Sequence, residues 1–310
     1  MKESVIYQID SLYRDDFRIQ GYVFGKGEKS LCVMGSMRGN EIQQTYTCAR
    51  LIQRLKSLEA EGKIAEDRQI LVIPSGNPSS MNIQKRFWPT DNTDINRMFP
   101  GYDKGETTQR IAAGIFETIK DYKYGIQLAS FYLTGEFMPH VRMMTTGLEN
   151  VELAKKFGLP YVVLRQTRPY DTTTLNYNWQ IWESNAFSLY TTVTSRMDSE
   201  SAELGVRAIL HFMYQEGILK EPVEQEPERK VEAISDQDMV VARTKEAGFF
   251  ECYTKTGATV KKGDILARVL NPYDGETLDE VKAPVDGVIF FLYTDPLVYA
   301  KTAVIKMIPA

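Results

Sequence analysis

Apolar and polar positions along this chain change period several times, and the changes mark its elements. IQGYVFG is followed by GKGEK and then SLCVMG, so residues 18–34 read as a strand, a turn and a strand. From Asn40 to about Leu58, Ile42, Tyr46, Ala49, Leu51, Ile52 and Leu55 fall at helical spacing. ILVIPS (70–75) is a continuous apolar run of the kind that fills a buried parallel strand. A Pro/Asn-rich loop follows from Gly76 to Gly105, then a helix over 106–120. YGIQLASFYL (124–133), YVVLR (161–165) and AFSLYTTV (186–193) read as further strands. A short helix at 150–157 and an amphipathic one at 198–216 complete the series. Strands alternating with helices predict an α/β class fold, a mixed and mostly parallel sheet flanked by helices.

After Leu219 the pattern lapses. KEPVEQEPERKVE is charged, Pro-containing and poor in apolar residues, so 221–235 reads as a linker. It separates an α/β domain over 1–220 from a β-rich module over 236–310, where DMVVART, GFFECYT, DILARVL, GVIFFLY and AVIKMI have strand character. The phrases Gly257–Asp264 and Ala283–Gly287 resemble the barrel-sandwich hybrid of biotinyl and lipoyl domains, whose glycines make tight turns. Carrier modules need a lysine at the hairpin tip. Tyr273–Thr277, at the equivalent place, has none, so a structural or oligomerising role is expected.

Composition narrows the partners. With 310 residues and a formal net charge of −4, the chain has no concentrated basic run, which argues against nucleic acid. No apolar stretch approaches the ~18 residues of a membrane span, and the charged N-terminus has no signal-peptide core, so a cytoplasmic protein is expected. Cys32, Cys48 and Cys252 stand far apart in unlike contexts and read as free thiols. Only two histidines occur, His140 and His211.

Three segments carry candidate chemistry. Gly35-Ser-Met-Arg-Gly-Asn-Glu41 lies between a strand end and a helix start, where α/β sheets bind ligands. The long loop contains Arg86-Phe-Trp-Pro-Thr-Asp-Asn-Thr-Asp94-Ile-Asn96-Arg97-Met-Phe-Pro-Gly101. Pro139-His-Val-Arg142 follows the strand at 124–133. In this order the segments resemble the succinylglutamate desuccinylase/aspartoacylase family, and the resemblance spans most of the chain. It implies a zinc carboxypeptidase-like fold and hydrolysis of the amide bond of N-acyl amino acids. It further implies zinc held by a His-Gly-Asn-Glu type turn and a second His in an Asp-Leu-His segment, a Glu as general base, and an Asn-Arg pair gripping the substrate carboxylate.

The metal positions depart from that pattern. Arg38 stands where the first His is expected, with Glu41 retained. Gln127 and Ala129 fall where the family has Asp and His, and the general-base Glu falls near Tyr190. A guanidinium has no acceptor and repels a cation, and an alanine has no donor atom. Three residues from Glu41, Arg38 is placed to pair with the carboxylate that the metal would have neutralised. No metal cofactor is therefore expected, with His140 a remote candidate ligand and His211 a weaker one. Glu41 and Tyr190 are the candidate catalytic groups, and Arg38, Asn96, Arg97, Arg142 and Gln127 the candidate ligand-binding ones. The loop Tyr170–Trp179 reads equally as a lid or as plain surface. The expected partner is a small carboxylate-bearing or N-acyl amino-acid-like molecule, and self-association into a homo-oligomer is left open. Three functions fit: a metal-free, catalytically impaired or repurposed binder, an active amidohydrolase with relocated ligands or metal-free chemistry, and a non-enzymatic scaffold.

Overall fold

A computed structural model of the chain describes residues 1–13, 15–224 and 230–310. Its first part contains β1 (Lys2–Ile9), β2 (Phe17–Gly25), β3 (Glu28–Ser36), α1 (Ile42–Ala60), β4 (Arg68–Ser75), α2 (Pro78–Asn82) and α3 (Thr107–Ile119). There follow β5 (Tyr124–Leu128), β6 (Gly135–Phe137), β7 (His140–Thr145), α4 (Val151–Lys155), β8 (Tyr161–Gln166), α5 (Leu175–Ile181), β9 (Asn185–Tyr190), α6 (Ser199–Gln215) and β10 (Glu232–Ser235). Nine of these strands form one mixed sheet, ordered β1-β2-β4-β3-β5-β9-β7-β8-β10. Its centre is parallel (β4, β3, β5, β9), β7 runs antiparallel to β9, and β7, β8 and β10 are parallel to one another.

Each face of the sheet buries its own cluster. Leu31, Val33, Val72, Ile126 and Leu189 pack against Leu51 and Leu55 of α1 and Val206 and Ile209 of α6. The alternate residues Cys32, Met34, Ile73 and Ala186 face Ile111 and Ile115 of α3 and Trp179 of α5. This is the period of two expected of a sheet covered on both sides.

Several elements differ from the sequence reading. β2 and β3 are not a hairpin, because β4 inserts between them, antiparallel to β2 and parallel to β3. The strand expected over 124–133 ends at Leu128. The run at 170–179 is not loop throughout: α5 starts at Leu175. Glu232–Ser235, at the end of the expected linker, is β10, adding to the sheet edge beside β8. Residues 225–229 of that linker lie outside the described residues.

The C-terminal part forms β11 (Val240–Arg243), β12 (Gly248–Cys252), β13 (Thr259–Val260), β14 (Ile265–Leu270), β15 (Thr277–Lys282), β16 (Gly287–Tyr293), β17 (Leu297–Val298) and β18 (Ala303–Pro309). One of its sheets runs β11-β18-β16-β13, the other β15-β14-β12-β17. The short strand β6 leaves the first part of the chain to pair with β16. Phe290, Phe291 and Ile289 thereby share a core with Ala129, Phe137, Val163 and Tyr190. That junction covers the α3/α5 face of the main sheet next to the cavity.

Candidate ligand pocket

The turn from Gly35 to Glu41 leaves the end of β3, and its backbone must pass very close to α2. A Cβ on Gly39 would sit 2.2 Å from the carbonyl carbon of Ser80, so only glycine fits. The Glu41 carboxylate folds back over this turn. Its Oε2 accepts the backbone N–H groups of Met37 (2.7 Å) and Arg38 (3.0 Å). Its Oε1 accepts Nη1 of Arg38 (2.9 Å) and the hydroxyl of Ser130. Arg38 is thus paired with Glu41, and it also gives Nε (3.1 Å) and Nη2 (2.8 Å) to Oδ2 of Asp94. Arg38 is 8% and Glu41 4% exposed. Burial works against the guanidinium's charge, but Glu41 and then Asp94 outweigh it and hold its pKa above the ordinary value.

Asp94 serves two ends at once. Its Oδ1 caps the 3-10 turn Ile95–Arg97 by accepting the Asn96 N–H (3.1 Å). Asn96 is buried and accepts Nε2 of Gln127 (3.3 Å). Arg97 points its guanidinium at the carbonyl of Tyr170 and lies 3.8 Å from Asp171, so it ties this loop to the segment before α5. Ala129 also lines the cavity and offers it no polar side-chain atom.

The floor comes from sheet register. Gln127, Ser188 and Arg142 stand side by side on β5, β9 and β7. Two residues on from Ser188, the Tyr190 ring lies under Arg142, 4.8 Å from the guanidinium carbon. The far wall holds Asp171, Arg165 (3.3 Å from Asp171) and Asn176. Arg86 closes the near side, and Phe131 and Tyr132 the side towards the C-terminal part. Behind Phe131, Lys306 Nζ sits 4.8 Å from the ring centroid. Burial first, and then Arg142 and Arg165, bring that ammonium down to about 8. Together these groups enclose a cavity of about 200 Å³.

Arg38, Glu41, Asn96, Arg97, Gln127, Arg142 and Tyr190 therefore line one cavity. His140 does not line it. It stacks on Tyr190 (4.5 Å between ring centroids), and its Nδ1 is 2.9 Å from the Met138 carbonyl. Burial, and then Arg142 and Lys306 against the bond to Met138, lower its pKa to about 3, so the ring is neutral. His211 borders a separate small cavity with Arg207 and Tyr214. Among the described residues, no three His, Cys, Asp or Glu side chains gather as a metal site would require. Around Glu41 the carboxylate oxygens are already taken by four donors, one of them a guanidinium, and this donor set does not suit zinc. Ser130, Arg165 and Ser188 escaped sequence reasoning, and Asn176 entered it only within the lid-or-surface run Tyr170–Trp179. For Ser130 a signal existed, as the neighbour of Ala129 at a strand end. For Asn176 the only signal was its place in a polar run.

The chain was compared with known proteins. The family profile described as "Succinylglutamate desuccinylase/Aspartoacylase catalytic domain" matches residues 27–213. The N-alpha-acetyl-L-2,4-diaminobutyric acid deacetylase of Halomonas elongata is 21% identical over 290 residues, covering 86% of this chain and 77% of that protein. Among solved structures, a succinylglutamate desuccinylase from Silicibacter sp. TM1040 aligns with a TM-score of 0.80 at 20% identity, over 99% of this chain and 94% of the other. The product-bound ectoine utilization protein EutE (DoeB) from Ruegeria pomeroyi aligns with a TM-score of 0.76 at 20% identity, over 95% and 90%.

Proposed function

The chain belongs to the succinylglutamate desuccinylase/aspartoacylase family, and on that premise we propose that it binds a small carboxylate-bearing, N-acyl amino-acid-like ligand without zinc hydrolysis. One observation carries this reading: the guanidinium of Arg38 fills the place beside Glu41 with fixed positive charge. In a zinc deacylase the metal neutralises the carboxylate and lowers the pKa of a bound water. Arg38 supplies the neutralisation and cannot supply the water. Glu41, engaged by four donors, has no lone pair directed at a substrate water, so it serves as the partner of Arg38 and not as a general base. Tyr190 acts as a platform for Arg142 and spends its hydroxyl on the Ser130 carbonyl (3.3 Å).

The charge balance supports the ligand class. Arg38 faces two carboxylates, Glu41 and Asp94, while Arg97 and Arg165 are matched by Asp171 and Asp236, so with Arg86 and Arg142 the group holds five guanidinium groups against four carboxylates. Arg86 and Arg142 line the cavity without an ion pair among the described residues. The excess positive charge, carried by two partly desolvated guanidinium groups without a salt-bridge partner, is complementary to carboxylate, for which their donor fork is suited. The deacetylase and the desuccinylase that this chain resembles are named for reactions on N-acyl amino acids, and the pocket's charges fit the carboxylates of such molecules. A pure scaffold would gain nothing from leaving these cations unmatched.

The test is metal analysis of the purified chain, with calorimetric titration of N-acetyl-L-aspartate and an assay for acetate release. Substoichiometric zinc, binding weakened at least tenfold by Arg142→Ala, and no acetate release are expected. Stoichiometric zinc with chelator-sensitive acetate release would establish an active amidohydrolase instead.

A further inference from the structure

Asn176, the second residue of α5, is 2% exposed and lines the cavity. Neither its Oδ1 nor its Nδ2 has a hydrogen-bond partner, and it is the one side chain among the described residues with both amide atoms buried and unpaired. Its helix neighbours are engaged. Asn178 Nδ2 donates to the carbonyls of Thr172 and Thr174 (2.9 Å each), and Trp179 Nε1 to that of Ile119 (3.1 Å). Gln180 Nε2 donates to the Met144 carbonyl (2.8 Å) and the Thr146 hydroxyl (2.7 Å). The helix is therefore pinned on several sides while Asn176 is held with an idle donor and an idle acceptor. A buried amide left unmade is costly, and an apolar residue of the same shape would avoid that cost.

We propose that Asn176 is a specificity-determining residue that reads the acylated nitrogen of the ligand. Its Oδ1 accepts the ligand's amide N–H and its Nδ2 donates to the α-carboxylate of the same residue. In an extended acylated amino acid the N–H and the carboxyl oxygen lie on one edge, and the two atoms of an asparagine amide match that edge. The guanidinium groups select for negative charge, whereas Asn176 selects for the N–H. An ester of the same shape and charge, having no such hydrogen, leaves Oδ1 buried and unpaired. Sites that hydrogen-bond a ligand donor discriminate strongly against analogues that lack it.

This inference rests on the anion-binding reading above, and the test separates the two. N-acetyl-L-aspartate and its ester counterpart, (S)-2-acetoxysuccinate, are titrated calorimetrically into the full chain and into Asn176→Ala and Asn176→Leu. Arg142→Ala is the control. The expected result is a preference of the native chain for the amide of at least about tenfold. In both Asn176 variants the preference falls to about twofold or less, chiefly by loss of amide affinity, while Arg142→Ala weakens both probes together. The leucine variant fills the same space without a polar atom and keeps the test valid if the alanine variant folds poorly. A preference unchanged in both Asn176 variants, or absent from the native chain, overturns the role of Asn176 alone. Failure of both probes to bind overturns the anion-binding reading, and this inference with it.

Discussion

At the scale of single residues, the pocket depends on a guanidinium placed between two carboxylates. Arg38 is buried with Glu41 at 2.9 Å and Asp94 at 2.8 Å, and each carboxylate also organises backbone, Glu41 the turn and Asp94 the 3-10 cap. Removing one partner of such a buried group costs about 3–5 kcal/mol, because the remaining charges stay desolvated. Arg38→Ala is therefore expected to lower the urea unfolding free energy by that amount, and Arg38→Lys by less, since a lysine keeps the charge but loses the fork. His140 gives a second prediction at this scale. Its imidazole protonates near 6.5 when unfolded and only near about 3 when folded, so the unfolded state binds more protons between those values. Stability is lost as pH falls through that window, by at most about 1.4 kcal/mol per pH unit from this group. His140→Phe keeps an aromatic ring against Tyr190 and abolishes the titration. Urea midpoints measured from pH 7 down to 4 should fall less steeply in the variant, from a lower starting value because the Met138 carbonyl loses its partner.

At the scale of elements, the turn after β3 fixes the site because a strand end, α2 and α1 all meet at it. Gly39→Ala forces a Cβ onto the Ser80 backbone, which has no flexible end to move aside. A loss of about 1–3 kcal/mol in urea unfolding is expected, together with weaker ligand binding. Gly62→Ala is the comparison: its φ of +71° carries strain but nothing lies within 4 Å, so it should cost only about 1 kcal/mol and leave binding intact. This turn was legible in the sequence because a short motif, a strand signal and a helix signal coincide there. The central parallel strands were legible for a similar reason, being continuous apolar runs. β7 was not. His140-Val-Arg-Met-Met-Thr places Val141 and Met143 in one core and presents Arg142 to the cavity, so neither alternation nor an apolar run appears. α5 was missed because two of its asparagines are buried, and buried polar residues imitate a loop in a hydropathy pattern. The neighbours of β4 could not be read either, since pairing order depends on chain crossings and not on local period. Within the site, Arg38 announced itself by departing from a family motif and Glu41, Asn96 and Arg97 by keeping to it, whereas the unpaired amide of Asn176 becomes visible only when hydrogen bonds are counted.

At the scale of the whole molecule, the C-terminal strands and the α/β part are joined by shared structure and not only by a tether. β6 belongs by sequence to the first part and by pairing to β16, with Phe137 opposite Phe291. The Phe291 ring is fully buried, 4.6 Å from that of Phe137 and 5.2 Å from that of Phe131, and Phe131 forms one side of the ligand cavity. β10 adds a second attachment at the far edge of the main sheet. If these contacts couple the two parts, heat unfolds them together, and the calorimetric enthalpy equals the van't Hoff enthalpy of one transition. Phe291→Ala removes a large ring from the middle of the junction, at a cost of about 3–5 kcal/mol. Scanning calorimetry of this variant should show one transition shifted to lower temperature, with weaker binding of N-acetyl-L-aspartate because Phe131 loses its support. Two separated transitions, the upper one unmoved, would mean that the C-terminal strands form an independent unit and that the cavity wall they support is not coupled to the rest of the site.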